Sequence, residues 1–183
     1  MWSMIKKIAP YAGIIVLVIG IRMFIMQPFI VNGESMSPTF HTSDYLIIDQ
    51  LSYRFTEPER GDVIVLRYPN NPKTFYLKRI IAKPGETISF KSGQVYITDT
   101  TGTTGELQEP YYHDLTLPGN DTVRTMGPTD YCLMGDNRTF SSDSRSWGLL
   151  DRKFIIGTPL IRLYPFSKID THPGSIEKFQ PVK

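Results

Sequence analysis

The sequence predicts a mainly β protein: an all-β sandwich or barrel-like domain preceded by one N-terminal transmembrane helix. Three observations predict it. Residues 8–27 form a 20-residue run with a single charge, Arg22. After Pro28, short runs rich in β-branched and aromatic residues recur, separated by turns containing Gly, Pro and Asn. Beyond the first run, no long amphipathic helical pattern interrupts them. Short strands at regular spacing with such punctuation are the signature of a sandwich or barrel.

The first element is the apolar run. About 20 apolar residues span a bilayer core. Pro10 sits where a first-turn proline is tolerated, and Pro28 ends the run, because proline disfavours helix at the residue before it. A cleaved signal peptide would show small residues at a cleavage site; Gln27-Pro28-Phe29-Ile30-Val31-Asn32 offers bulky ones. A buried helix of a soluble protein is the other alternative to a span, since the run is apolar on nearly every face. A membrane anchor is the expectation, with Arg22 reaching the headgroups from the far end. Lys6 and Lys7 precede the run, so the N-terminus is expected on the cytoplasmic side and the body outside.

The body follows as strands over Tyr45–Ile48, Val63–Arg67, Phe75–Ile81, Thr87–Phe90, Gln94–Thr98, Tyr131–Met134 and Phe154–Tyr164. Pro69-Asn70-Asn71-Pro72, Pro84-Gly85 and Gly135-Asp136-Asn137 are among the turns between them. Residues from about 91 to 128 read as an inserted loop or hairpin region, since Asp99–Asp130 is the least core-like stretch. The tail after Phe166 is polar and expected to be loosely ordered. The division is thus 1–27, a cytoplasmic tip and anchor, and 28–183, an extracytoplasmic β domain.

Composition excludes several functions. The 183 residues suffice for one domain and an appendage, at roughly 150 residues per domain. The chain has 20 Lys and Arg against 18 Asp and Glu, a net charge of +2 without a clustered basic face, so no nucleic-acid partner is indicated. Cys132 is the single cysteine, which excludes an intramolecular disulfide and a multi-cysteine zinc site. His41, His113 and His172 lie far apart, with no His-Glu-x-x-His helix and no Gly-rich phosphate loop.

Three constellations could carry chemistry. Gly33-Glu34-Ser35-Met36-Ser37-Pro38-Thr39 follows the apolar run directly; Ser35 is either a turn serine or a nucleophile just beyond the bilayer. In Phe75-Tyr76-Leu77-Lys78-Arg79-Ile80-Ile81, strand alternation puts Tyr76, Lys78 and Ile80 on one face. A lysine turned inward among apolar neighbours has a lowered pKa and is a usable base; one turned outward is a solvated edge residue. A Ser-Lys pair is a known variant of nucleophile with base. The stretch Gly135 to Gly148 carries Asp136, Asn137, Arg138, Ser141, Asp143, Ser144 and Arg145, a density suited to charge-assisted Asp–Arg pairing.

In this order, behind an anchor, these segments resemble the bacterial type I signal peptidases, membrane-bound Ser-Lys proteases, and their Gram-positive members in particular. Arg22 to Phe29 resembles the family's exit from the membrane, and Ser35-Met36-Ser37-Pro38-Thr39 its nucleophile box. Arg60-Gly61-Asp62-Val63-Ile64-Val65 resembles the following strand box, Lys78-Arg79-Ile80-Ile81 with Pro84-Gly85 the lysine box. Gly135-Asp136-Asn137-Arg138 with Ser141, Asp143, Ser144 and Arg145 resembles the last.

The resemblance implies Ser35 as nucleophile and Lys78 as general base. Ser141 would hydrogen-bond and orient the Lys78 amine. Asp143 and Arg145 would hold the last box against the catalytic strands, with Asp136 supporting. Phe29, Val31 and Leu77 would line shallow pockets for small residues at −1 and −3 of a signal peptide that adds as a strand. The Ser35 N–H would be one oxyanion donor. Many Gram-negative relatives place a second donor, a serine hydroxyl, where this chain has Gly33. Lys83 departs from the small or apolar residue expected there. The implied partners are signal peptides of secreted preproteins and the phospholipid membrane, with no cofactor and no metal. Two rivals are a Ser-His-Asp hydrolase using His41 or His113, for which no matching box exists, and a non-catalytic membrane-anchored β-domain binding protein.

Overall fold

The computed structural model describes residues 26–91, 93–108 and 122–176, the backbone of 181–182, and isolated positions between 11 and 20. The expected anchor over 8–27 therefore lies largely outside the described residues. Among those described, no helix is long and apolar enough to cross a membrane.

The described chain is mainly antiparallel β, in two sheets. The strands in chain order are β1 (Met26–Ile30), β2 (Tyr45–Asp49), β3 (Val63–Tyr68), β4 (Asn71–Ala82), β5 (Thr87–Lys91), β6 (Gln94–Thr98) and β7 (Thr104–Leu107). They continue as β8 (Thr122–Thr125), β9 (Asp130–Met134), β10 (Leu150–Asp151), β11 (Ile155–Tyr164), β12 (Asp170–Thr171) and β13 (Pro181–Val182). The larger sheet runs β1-β2-β11-β3-β4-β9-β10, with β12 on β11; the smaller runs β13-β7-β6-β5-β8.

Strand β4 holds the two together. Its first half is exposed or half-buried, and from Lys78 onward every residue is buried. Ile80 packs with Ile64, Leu66 and Leu133 in the larger sheet's core. Ile81 and Ala82 pack with Ile88, Val95 and Ile97 against the smaller sheet. A continuous apolar run is what a strand covered on both faces requires. A third cluster, Met36, Phe40, Leu46, Ile48, Val63 and Val65, lies under the segment that carries Ser35.

Three expectations need correction. Residues 91–128, expected as an inserted loop or hairpin region, hold strands where they are described: β6 and β8 pair with β5, β7 pairs with β6, and with β13 they make up the smaller sheet. Their Thr-rich strands looked unlike a core because only one face is buried, through Val95, Ile97 and Leu107. The stretch 109–121 lies outside the described residues. The body begins at or before Met26, since Met26 and Gln27 pair with Asp49 and Ile48. Asn71 and Pro72 belong to strand β4, which leaves only Pro69-Asn70 between β3 and β4. The tail is docked as far as Ile176: β12 pairs with β11, Pro173 is buried, and Ile176 packs on the inter-sheet core.

Candidate active site

Lys78 sits where β4 turns from half-exposed to buried, and is 2% exposed. Its Nζ lies 2.7 Å from Ser35 Oγ and donates to Leu77 O at 3.0 Å. The amine stands 5.1 Å from the Tyr76 ring centroid, the neighbour that strand alternation put on its face. Burial is the main cause that brings its pKa down to about 8; Asp143 and Asp136 oppose the shift, and Arg145 adds to it. An ammonium removed from water loses hydration that three fixed donors cannot fully recover. Near pH 8 an appreciable fraction of the amine is neutral.

Ser35 is held by a loop that cannot move freely. Val31 N donates to Asp44 O and Ser43 N to Val31 O, each at 2.9 Å, closing the loop at its base. Gly33 takes φ +107°, a region that favours glycine, and its N–H donates to Thr42 Oγ1 at 3.0 Å. Met36 and Phe40, 2% and 0% exposed, plug the core on the C-terminal side of Ser35. These two buried apolar anchors therefore fix the chain directly after the serine. Arg162 reaches from β11 to donate to Thr39 O at 3.0 Å.

The last motif clamps this loop from the other side. Asn137 N donates to Ser35 O at 3.0 Å, and Asn137 Nδ2 donates to Glu34 O at 3.1 Å. Asp136, 2% exposed, accepts from Arg79 Nε at 2.8 Å and Arg79 Nη2 at 2.6 Å, and from Thr39 Oγ1 at 2.5 Å. One buried carboxylate thus joins the lysine strand to the serine loop. Asp143 accepts from Arg145 Nε and Nη2 at 2.8 Å each, and from Gly135 N at 3.1 Å. Burial opposes its ionisation, but the Arg145 guanidinium and the Gly135 N–H hold its carboxyl below the usual range. Gly135 lies where these parts meet. A Cβ there would stand 2.3 Å from both Ser141 Oγ and Ser35 O, so only glycine lets them approach.

Ser35 and Lys78 line a cleft of about 270 Å³ together with Phe29, Val31, Leu77, Phe75 and Met36. The rings of Phe29 and Phe75 meet edge to face across it, 5.4 Å apart. Both walls are strand edges. Among the described residues, strand β1 pairs only with β2, and β4 meets β9 only from Arg79 onward, so the residues before it have a free edge.

The structure thus brings Ser35, Lys78, Phe29, Val31 and Leu77 around one cleft, with Asp136, Asp143 and Arg145 behind it. Ser141 departs from expectation. The hydrogen bonds of Lys78 Nζ run to Ser35 Oγ and Leu77 O, while Ser141 Oγ is buried without a well-formed hydrogen bond, beside the Asp143 carboxylate. His41 Nδ1 faces Glu34 Oε2 at 3.3 Å, on the outside of the loop. His113 lies outside the described residues. Sequence reasoning quoted Arg79, Thr39, Gly135 and Asn137 inside motifs without assigning them roles. Arg79 carries a usable signal: a second charge beside Lys78, in a run otherwise apolar or aromatic, needs a buried partner.

The site thus sets the Ser35 hydroxyl against a buried lysine amine, beside two strand edges that border a cleft. The chain belongs to the signal peptidase family, peptidase S26, whose pattern matches residues 1–164. It is 34% identical over 163 residues to a signal peptidase I of Leptolyngbya laminosa, covering 85% of this chain and 77% of that one. A probable signal peptidase I-1 of Synechocystis is 33% identical over 175 residues, 91% and 86% of the two chains. A Staphylococcus aureus relative, 32% identical over 170 residues and 89% and 95% of the chains, is named an inactive signal peptidase IA. A crystal structure of a signal peptidase I from Enterococcus faecalis V583, 26% identical, overlaps 56% of this chain and 97% of that one with a TM-score of 0.47.

Proposed function

We propose that the chain is an active membrane-bound serine endopeptidase that removes signal peptides from exported preproteins after small residues at −3 and −1. The observation that carries this is the 2.7 Å approach of Lys78 Nζ to Ser35 Oγ in the cleft. Because one relative is named inactive, family membership alone does not give turnover; a formed nucleophile–base pair supports it.

The chemistry follows from the pair. Neutral Lys78 accepts the Ser35 hydroxyl proton as Oγ attacks the scissile carbonyl. The lysine returns that proton to the departing amine, leaving an ester to Ser35. Water, deprotonated by the same amine, then hydrolyses the ester. The Ser35 N–H supplies one oxyanion donor, a kind of contact typically worth a few kcal/mol. Asp136, Asp143 and Arg145 hold the framework. The substrate enters as an added strand between Phe29–Gly33 and Phe75–Lys78, with small side chains toward Phe29, Val31 and Leu77. The site calls for no cofactor or metal. Residues 8–27 anchor the enzyme with its N-terminus cytoplasmic and its body extracytoplasmic, beside a substrate still held in the bilayer.

Cleavage of a preprotein by wild type, Ser35→Ala and Lys78→Arg tests this. Wild type alone should cut, since arginine cannot act as a base in proteins. Turnover by Ser35→Ala would sink the assignment. Absence of turnover by wild type would favour a non-catalytic anchored binding domain. Protease added to intact spheroplasts should digest the body and spare the first residues.

A further inference from the structure

The residues that match the family pattern stop at 164, yet the hydrogen bonds behind the site continue past them. After β12 the chain turns back, with His172 N donating to Leu160 O at 2.7 Å and Ser175 N to His172 O at 3.1 Å. Pro173 is buried, and Ile176 packs onto the core between the sheets. Between these two anchors, Gly174 O accepts from Arg79 Nη1 at 2.7 Å, and Gly61 O accepts from the same nitrogen at 2.7 Å. Arg79 is the residue after Lys78, and its other face grips Asp136, which in turn accepts from Thr39 of the serine loop.

Gly174 also touches the serine loop itself. Its φ is +78°, where a side chain is disfavoured. A Cβ there would stand 2.9 Å from the Phe40 ring, 3.0 Å from Thr39 Cγ2 and 3.1 Å from Val63 Cγ2. Phe40 is fully buried, with Arg162 stacked 4.8 Å from its ring centroid, so it has little room to retreat. The segment therefore touches the site twice: through a carbonyl on the guanidinium beside the base, and through close packing on the loop that carries the nucleophile.

We propose that His172–Ile176 is a positioning strap for catalysis, whose Gly174 holds Arg79, Asp136 and Thr39–Phe40 so that Ser35 and Lys78 stay in register. It rests on the Ser35–Lys78 reading. None of His172–Ile176 is among the residues that line the cleft, so its loss should act on turnover and not on binding.

The test compares kcat and KM on one signal-peptide substrate for wild type, Gly174→Ala and Gly174→Val. Ser35→Ala runs alongside, and each Tm is measured so that assays stay below unfolding. A displacement near 1 Å can cost on the order of 10²-fold. Gly174→Val should therefore lose about 10²-fold in kcat, and Gly174→Ala about tenfold, with KM within about threefold. A lowered Tm with kcat within twofold of wild type would make the strap purely structural and overturn the proposal. A loss confined to KM would overturn it as well. If Gly174→Val fails to fold, Gly174→Ala decides by the same criteria. Full turnover by Ser35→Ala would instead refute the Ser-Lys reading, whatever the strap variants do.

Discussion

Alanine at Gly135 should disable turnover far out of proportion to one added methyl. Its Cβ would stand 2.3 Å from Ser141 Oγ, 2.3 Å from Ser35 O and 2.6 Å from Ser141 Cβ. Ordinary contact begins near 3.4 Å, so the two sides must part by about 1 Å. Neither side yields cheaply. Ser35 O is held by Asn137 N at 3.0 Å, and Gly135 N is tied to Asp143 Oδ2 at 3.1 Å. Because Ser35 O and Ser35 Oγ belong to one residue, displacing the carbonyl tilts the nucleophile away from Lys78. A misplacement of this size costs on the order of 10²-fold, or about 2.7 kcal/mol of barrier. Overpacking should lower stability by about 1–3 kcal/mol as well. The assay is kcat on a signal-peptide substrate, measured well below the variant's own Tm. A folded Gly135→Ala enzyme keeping a third or more of wild-type kcat would refute the claim that this approach sets the nucleophile.

Four further outcomes are expected. The rate should rise with pH through a basic limb near pH 8 as Lys78 deprotonates, and its absence from a pH profile would remove Lys78 as base. Lys78→Met should abolish cleavage yet stabilise the fold by about 3 kcal/mol at pH 7: the native pKa lies below the unfolded one, so burial penalises the protein fully below pH 8. That penalty fades as pH rises toward 10.5, which denaturant titrations across the range would read. His41→Ala should keep kcat/KM within about tenfold, roughly 1.4 kcal/mol, because its ring serves Glu34; a far larger loss in a folded protein would revive a histidine base. Ser141→Ala should lower kcat more than it moves KM, with Ser141→Thr recovering part of the rate; equal kcat for all three would remove Ser141 from the apparatus.

Periodicity made much of this legible. Alternation in Phe75–Ile81 put Lys78 on the face of Tyr76 and Ile80, and that is the face it occupies. The order of the motifs gave the serine loop, the lysine strand and the last motif as one site. What stayed hidden depended on partners distant in sequence. The Thr-rich strands β7 and β8 are polar on one face, and their neighbours are needed to see the other. Gly174 and Arg79 are 95 positions apart, and nothing local in a polar tail announces a carbonyl that completes a buried guanidinium. Asn137 sits in a turn motif, where asparagine is common for its own backbone preferences; its grip on Glu34 O and Ser35 O appears only when the loops meet.

The two free strand edges beside the cleft have a consequence for fidelity. An extended chain shows its side chains alternately to opposite sides. A peptide paired with the edges of β1 and β4 therefore presents every second residue to the apolar wall and turns those between away. Slipping by one position exchanges the whole set and places the wrong side chains against Phe29 and Val31. Slipping by two restores the same face at an equal count of main-chain bonds. Selection of the cut is then a choice of reading frame modulo two, and miscleavage should fall two residues from the correct bond more often than one.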